Sequence, residues 1–128
     1  KIEADCRIVS AREGTVIIGK NSVLTMGAII NGGGNVIIGQ NCILGPRIII
    51  NANEHVFKKD KPINEQGFIH KDVIIEDDCW FGAYVVINKG SFIKKGSVVG
   101  ALSLITKSTD EYSINVGIPT KKIGERKS

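Results

Sequence analysis

The chain has few of the residues on which many small folds depend. Only 5% of its 128 residues are aromatic, and it contains three cysteines and two histidines. An odd number of cysteines at scattered positions argues against both a disulfide framework and a zinc cluster. No apolar run approaches the roughly 18 residues that a membrane-spanning helix requires. These absences exclude the disulfide-stapled folds and the helical membrane proteins.

The charge of the chain is also modest. It has 17 Lys and Arg against 13 Asp and Glu, which gives a net charge of +4 at pH 7. This excess suits an anionic ligand but is too weak to predict nucleic-acid binding. The length predicts one domain. Because the chain starts at Lys1 rather than Met and shows no signal peptide, we expect a cytoplasmic protein from which a preceding segment is missing.

A period of six residues is what the sequence does have. Large apolar residues recur at every sixth position, and a second column, mostly of small residues, precedes them by two. The large column reads Ile75, Phe81, Ile87, Ile93, Val99 and Ile105, and the second reads Val73, Cys79, Val85, Ser91, Ser97 and Ser103. A helix would repeat every three to four residues and a strand every two. The period of six therefore predicts a repeat architecture.

A six-residue repeat has a direct structural meaning. Each unit supplies one short strand and one turn, so that three units close one triangular coil. Since side chains alternate along a strand, both columns point into the coil. We predict an all-β fold, a left-handed parallel β-helix of hexapeptide repeats, whose hand is an exception to the right-handed crossover rule. Scarce aromatics suit its narrow interior.

The same register continues toward the start of the chain. The large column there reads Ile2, Ile8, Ile18, Leu24, Ile30, Ile38, Leu44 and Ile50. All three cysteines fall in the small column, as Cys6, Cys42 and Cys79. Free cysteine behaves as a small apolar residue. We therefore predict that all three are buried and have no chemical role.

Insertions break the register after Ile8, Ile30 and Ile50, and the chain leaves the repeat after Ile105. Every one of these interruptions falls on the same corner of the predicted triangle. We expect function at this corner because binding and catalytic residues concentrate on loops held by a rigid scaffold.

Small and polar residues follow the large column at this corner. Asn31, Asn51 and Asn88 form a column that we interpret first as a turn device, because Asn tolerates positive φ. The three glycines at 32–34 resemble a phosphate loop, but neither Lys-Ser/Thr nor a helix follows them. We interpret them as a widened corner.

The longest insertion spans residues 52–70. A loop of this length in a compact domain is usually functional or disordered. Phe57, Ile63 and Phe68 lie within it, and we expect these apolar residues to anchor the loop. His55 stands near its beginning.

Four ordered motifs resemble those of the hexapeptide-repeat acyltransferases. Residues 77–83 resemble the Trp-Ile-Gly-Ala signature of that family, and residues 100–107 resemble its Gly-Ala-Gly-Ser-Val-Val-Thr-Lys turn. Residues 117–121 resemble its Gly-Asn-Pro-Ala-Lys tail, and His55 matches the placement of its catalytic base. Phe81, Leu102 and Thr120 depart from the pattern, and Leu102 narrows a turn that the family keeps open.

The resemblance implies a homotrimer that transfers an acetyl group from acetyl-coenzyme A without a metal, at sites between adjacent prisms. It is closest to the sugar and surface-polysaccharide O-acetyltransferases. It implies a β-helix over residues 1–107, with the excursion at 52–70, and a C-terminal tail at 108–128 that completes the coenzyme site. The coenzyme-binding residues that it implies are Trp80, Gly82, Ala83, Ala101, Thr106, Lys107 and Lys121.

The chemistry agrees with this resemblance. A sugar hydroxyl is a weak nucleophile and needs a base with a pKa near neutrality, which His55 supplies. Direct transfer needs no acyl-enzyme and therefore no Ser-His-Asp arrangement. Asn53 either orients His55 or binds a sugar hydroxyl, or is simply a turn residue. His70 lacks a motif around it, and we predict that it is a bystander.

Other functions remain open from the sequence. N-acetylation of an amino sugar is the main alternative, with serine or antibiotic acetylation behind it, and a non-catalytic scaffold is a third class. A zinc lyase of the γ-carbonic-anhydrase kind, on the same fold, requires three His ligands, whereas the chain contains two His.

Overall fold

The computed structural model describes residues 1–11 and 14–128. Within these ranges the chain forms short strands, with one 3-10 turn at Ile63–Glu65. In chain order the strands are β1 Arg7–Ser10, β2 Val16–Ile18, β3 Val23–Leu24, β4 Ile29–Gly32, β5 Val36–Ile38, β6 Ile43–Leu44, β7 Ile49–Asn51, β8 Asn53–His55, β9 Phe68–His70, β10 Val73–Ile75, β11 Trp80–Phe81, β12 Val86–Asn88, β13 Phe92–Ile93, β14 Val98–Val99, β15 Leu104–Ile105, β16 Ser113–Gly117 and β17 Thr120–Glu125.

Most of these strands stack into three sheets that form the faces of a prism. Sheet I contains β1, β4, β7, β12 and β15, sheet II contains β2, β5, β10 and β13, and sheet III contains β3, β6, β11, β14, β16 and β17. Strands of successive coils pair in parallel and in register, as Ile30 does with Ile50 and Ile50 with Ile87. The chain passes from sheet III to sheet I to sheet II in every coil, which confirms the predicted β-helix.

Both predicted inward columns fill the interior of the prism. From Leu24 to Ile105, every member of the large column is at most 1% exposed. Ser91, Ser97 and Ser103 of the small column are also buried. The hydroxyls of Ser91 and Ser97 donate to backbone carbonyls, as Ser97 does to Lys94 at 2.6 Å, and the hydroxyl of Ser103 accepts from the Gly117 N–H. A buried hydroxyl with such a partner avoids the penalty of an unpaired polar group.

The first coil departs from this pattern. Ile2 is 54% exposed and Ile8 is 38% exposed, although Ile8 pairs in register with Ile30. Both residues contact a further coil on one side only, so that part of each side chain remains in water.

The cysteines are likewise more exposed in the first coil than in the later coils. Cys42 and Cys79 lie buried on successive coils, as predicted, whereas Cys6 in the first coil is only half-buried and its prediction is wrong. The neighbouring Cys79 thiol lowers the pKa of Cys42. The same contact, together with burial, raises the pKa of Cys79. The two thiols therefore act as one coupled interior pair.

The interruptions of the repeat do share one corner, as predicted. The chain crosses from sheet I to sheet II after β1, β4, β7 and β12, and it leaves sheet I after β15. We call this edge the excursion corner. The first insertion includes residues 12 and 13, which lie outside the described residues. The long insertion at 52–70 leaves the prism here as a separate two-stranded sheet, β8 with β9.

Left-handed residues close the other two corners. Asn21, Asn41 and Asp78 have φ near +60° at the turns from sheet II to sheet III. Leu102 has φ of +63° at the corresponding turn from sheet III to sheet I, and Tyr84 has φ of +59° one coil earlier. The turn at Leu102 thus has the same left-handed backbone as the preceding turn.

The column of Asn31, Asn51 and Asn88 does not close turns in this way. The φ angles of Asn31, Asn51 and Asn88 are not positive, and all three lie in strands of sheet I. Our interpretation of this column as a turn device is therefore wrong. The backbone needs no Asn at these positions.

The C-terminal tail forms a hairpin on sheet III. β16 continues that sheet in parallel with β14, and β17 folds back antiparallel to β16. The Arg126 guanidinium donates to Asp78 at 2.8 Å and lies 5.6 Å from the centre of the Tyr112 ring. These contacts hold the tail, which is extended at Arg126, against the prism.

Among the described residues, no helix is long and apolar enough to cross a membrane.

The register predicts that equivalent isoleucines of one column contribute differently to the free energy of unfolding. Replacing Ile30 by Ala should reduce the free energy of unfolding by about 2–5 kcal/mol, because it leaves a cavity in a closed interior. The Ile8→Ala change should cost clearly less, since Ile8 is already 38% exposed. Denaturant unfolding of the two variants measures this. Equal losses would contradict the burial gradient.

Candidate functional site

A hairpin at the excursion corner carries the predicted base. β8 and β9 pair antiparallel, with His55 opposite Phe68 and Asn53 opposite His70. Because side chains alternate along a strand, these four residues share one face of the hairpin. The His55 ring lies 4.5 Å from the Phe68 ring, and the Phe68 ring lies 6.0 Å from the His70 ring. The Phe68 ring is therefore a neighbour of both imidazoles.

Glycines allow the base of this hairpin to lie close to the second coil. A Cβ on Gly33 would lie 2.5 Å from Nδ1 of His70 and 3.1 Å from Nδ2 of Asn53, and one on Gly34 would lie 2.6 Å from the backbone of Lys71. The Ala52 carbonyl accepts hydrogen bonds from the backbone N–H groups of Gly34 and Lys71. The glycines at 32–34 thus allow the base of the hairpin to lie close to the backbone of the second coil.

The opposite face of the hairpin is tied to the fourth coil. Glu54 and Ile69 lie on this face, and the Glu54 carboxylate pairs with Nζ of Lys89 at 2.5 Å. The two side chains are 40% and 22% exposed. The hairpin is therefore held from both faces, by close packing on one and by an ion pair on the other.

A cavity of about 620 Å³ opens beside this hairpin. Its lining combines amides, one imidazole, one carboxylate and an apolar wall. The lining residues are Asn31, Asn51, Asn53, Glu54, His55, Phe57, Ile63 and Phe68. Oδ1 of Asn53 is buried and has no hydrogen-bond partner among the described residues. Most buried polar atoms in folded proteins have a hydrogen-bond partner, so this oxygen is a candidate contact for a bound hydroxyl or water.

The apolar residues of the long insertion do not anchor it to the prism. Phe57 is 66% exposed, and Ile63 and Phe68 are each 51% exposed. The prediction that they anchor the loop is wrong for the chain by itself. They form instead an exposed apolar surface next to the cavity.

A second group of predicted residues lies at the corner between sheets III and I. A Cβ on Gly82 would lie 2.6 Å from the backbone nitrogen of Ala101, and one on Gly45 would lie 2.6 Å from the carbonyl carbon of Gly82. The backbones of three coils therefore stack tightly here. Ala83 follows Gly82 in the turn and is half-buried.

The remaining predicted residues are spread over the prism. Trp80 projects from sheet III, is 55% exposed, and lines a groove of about 170 Å³ with Arg126. Thr106 and Lys107 follow β15 at the excursion corner. Lys121 lies on β17 opposite Val116.

Lys121 differs from its neighbour Lys122. Hydrogen bonds to Glu125 and Asp110 raise the pKa of Lys122. Lys121 has no ion pair among the described residues and is exposed. Lys122 is thus engaged within the hairpin, whereas Lys121 is available to an anionic ligand.

The structure brings His55 and Asn53 together in one cavity and leaves the predicted coenzyme residues on other parts of the surface. Asn31 and Asn51 also line this cavity, and our sequence analysis gave them no binding role. Their place in one register column was the available signal. Within 1–11 and 14–128, no group of three or more His, Cys, Asp or Glu could hold a metal ion.

Comparison with known proteins identifies the class of the chain. Residues 72–107 match the family model described as the hexapeptide repeat of succinyl-transferase. A probable acetyltransferase of Mycobacterium tuberculosis is 37% identical over 65 residues, which make up 51% of this chain and 22% of that protein. The chain thus matches about a fifth of the length of that relative.

Solved structures extend the similarity over the whole chain. A maltose O-acetyltransferase from Clostridium difficile 630 has a TM-score of 0.87 and 25% identity, covering 100% of this chain and 68% of that one. A hexapeptide-repeat-containing acetyltransferase from Vibrio cholerae O1 biovar eltor, solved with acetyl-coenzyme A, has a TM-score of 0.81 and 24% identity, over 99% and 66%. The chain is a hexapeptide-repeat β-helix protein. The two relatives described in this comparison as enzymes with an assigned or probable activity are acetyltransferases.

The ion pair between Glu54 and Lys89 predicts a local effect on the hairpin. Replacing Glu54 by Gln should change the free energy of unfolding by less than about 1 kcal/mol, because partly exposed ion pairs contribute little. Amide hydrogen exchange in β8 and β9 should nevertheless become faster. Glu65→Gln, at an exposed position of the same insertion, is the control. Equal exchange in the two variants would show that the pair does not hold the hairpin.

Proposed function

We propose that the protein transfers an acetyl group from acetyl-coenzyme A to a hydroxyl of a sugar or surface-polysaccharide unit. The observation that carries the proposal is the cavity at the excursion corner, in which His55 and Asn53 meet beside an apolar wall. The kinship with acetyltransferases and the likeness to a maltose O-acetyltransferase support it.

His55 would act as the general base. Its ring lines the cavity, and its contact with Phe68 at 4.5 Å restricts the orientation of the imidazole. A neutral imidazole beside an acceptor hydroxyl takes the hydroxyl proton as the oxygen attacks, and it can return a proton to the leaving group. His70 does not line the cavity, and we assign it no part in this step.

Asn53 would orient the acceptor. Its buried Oδ1 has no partner among the described residues, and a hydroxyl of the acceptor would satisfy it as donor. This contact would hold the acceptor while His55 receives the proton of the reacting hydroxyl.

Acetyl-coenzyme A would supply the acetyl group as a thioester. The close backbone stack of Gly82 and Ala101 offers a narrow surface for an extended pantetheine arm, with Ala83 next to it and Trp80 as a wall. Thr106, Lys107 and Lys121 would meet the phosphates of the coenzyme, since a lysine ammonium binds phosphate as a point charge.

The His55 cavity and the Gly82–Ala101 stack occupy different corners of one prism, and Thr106 and Lys107 lie at the excursion corner on a later coil than the cavity. We propose that neighbouring copies of a homotrimer bring them together, with each site formed between adjacent prisms. The exposed Phe57, Ile63 and Phe68 beside the cavity support this arrangement, because an adjacent prism would cover them.

Removal of the proposed base tests the mechanism. The His55→Ala variant should lose about 10²- to 10⁴-fold in kcat, which is the usual contribution of a general base, and should bind coenzyme A as the wild type does. His70→Ala is the matched control, because it removes a second imidazole from the same hairpin face. Turnover with sugar acceptors measures both. A larger loss in the His70 variant would assign the base to His70.

Replacement of Lys107 and Lys121 tests the coenzyme site. Replacing both Lys107 and Lys121 by Ala should weaken coenzyme A binding by roughly 1–3 kcal/mol for each charge-assisted hydrogen bond that the substitution removes. The effect should shrink at high salt, where exposed charges are screened. Lys20→Ala, at the corner between sheets II and III, is the control. Calorimetric titration with coenzyme A and its 3′-dephospho form measures the effect, and unchanged affinities would exclude the assignment.

A further inference from the structure

The cavity contains two amides that no part of the fold requires. Asn31 and Asn51 occupy successive positions of one column on sheet I, paired in register. Adjacent coils place such residues about 4.8 Å apart. Both side chains line the cavity that contains His55. Asn88 continues the same column one coil further but does not line that cavity.

These amides have no structural partner. Neither side chain makes a hydrogen bond to another residue of the described ranges, and neither residue has the positive φ that would explain an Asn in a turn. A carboxamide offers two donors and one acceptor. With Asn53, the cavity thus presents three amides, one of which has a buried unpaired oxygen.

Apart from His55, the rest of the lining is apolar or consists of Glu54, whose carboxylate has an ion-pair partner. Phe57, Ile63 and Phe68 form one wall, which suits the apolar face of a sugar ring. Glu54 is the one acidic residue among the described lining residues, and its carboxylate is held by Lys89 at 2.5 Å. No described Lys or Arg lines the cavity. A charged acceptor would lose hydration here and would find no unpaired Lys, Arg, Asp or Glu among the lining residues that this chain contributes.

We propose that Asn31 and Asn51, together with Asn53, form the acceptor subsite, and that this subsite selects an uncharged carbohydrate over an amino sugar or an acidic sugar. Hydroxyl groups both donate and accept, as carboxamides do, so that neighbouring hydroxyls of one ring match a ladder of amides. The inference rests on the proposed function because it takes the cavity as the acceptor site. It assigns specificity to residues that do not take part in proton transfer.

Binding of three sugars that differ in charge tests the subsite. Methyl glucoside, glucosamine and glucuronic acid are titrated by NMR into the wild-type protein and into Asn31→Ala and Asn51→Ala. Methyl glucoside should bind most tightly, and each variant should weaken it by roughly 3- to 15-fold, as expected when one hydrogen bond is removed. Asn88→Ala should bind it as the wild type does. Asn51→Asp should favour glucosamine over methyl glucoside by roughly tenfold, because a carboxylate binds an ammonium group.

Acetyl transfer to the same sugars is measured separately, so that the two proposals can fail independently. Neutral-sugar binding that depends on Asn31 and Asn51, without acetyl transfer, would support the subsite and overturn the acetyltransferase function. Acetyl transfer with a preference for glucosamine, or an effect of Asn88→Ala equal to those of the two cavity variants, would overturn the subsite and leave the enzyme in place. Absence of binding by all three sugars would also overturn the subsite.

Discussion

In-register parallel stacking of successive coils is the constraint on which the rest of this structure depends. Each inward residue packs against residues of the same column above and below, and each strand pairs with the strands of the neighbouring coils. The interior is therefore a continuous column rather than a central core. A residue at the end of the column, such as Ile8, is left partly exposed, whereas Ile30 is completely enclosed.

The same stacking decides where the chain can vary. Two corners are closed by left-handed residues such as Asp78 and Leu102, and the sequence carries no insertion at either of them. The excursion corner carries every insertion, so the long hairpin leaves the prism there and stands over the outer edge of sheet I. A cavity forms where the hairpin face meets the polar column of that edge. Rigid coils thereby support a loop that is held by Gly33 on one side and by Lys89 on the other.

Stacking also brings residues that recur in the sequence into a regularly spaced column on the surface. Asn31 and Asn51 are twenty residues apart in the chain, yet they are neighbours in space because they occupy the same position on adjacent coils. Such a column can present identical groups at a regular spacing to a ligand that has regularly spaced groups of its own. The predicted coenzyme residues show the opposite case, since Gly82 and Lys107 belong to neighbouring motifs but lie on different corners. For a site of this kind, the coil to which a residue belongs matters as much as its motif.

The period of six by itself determined the three-sided fold, the inward columns and the corner that carries the insertions, because each follows from strand alternation and local chain length. It also predicted His55 and Asn53 at that corner. The tertiary structure alone decided the antiparallel pairing of β8 with β9, the exposure of Phe57 and Phe68, and the partial exposure of Cys6. It also decided that the side chains of Asn31 and Asn51 line a cavity and make no hydrogen bond within the described residues. These features depend on what lies above, below or across from a residue. Sequence periodicity determines which way a side chain points, but only the packed coils determine what it meets.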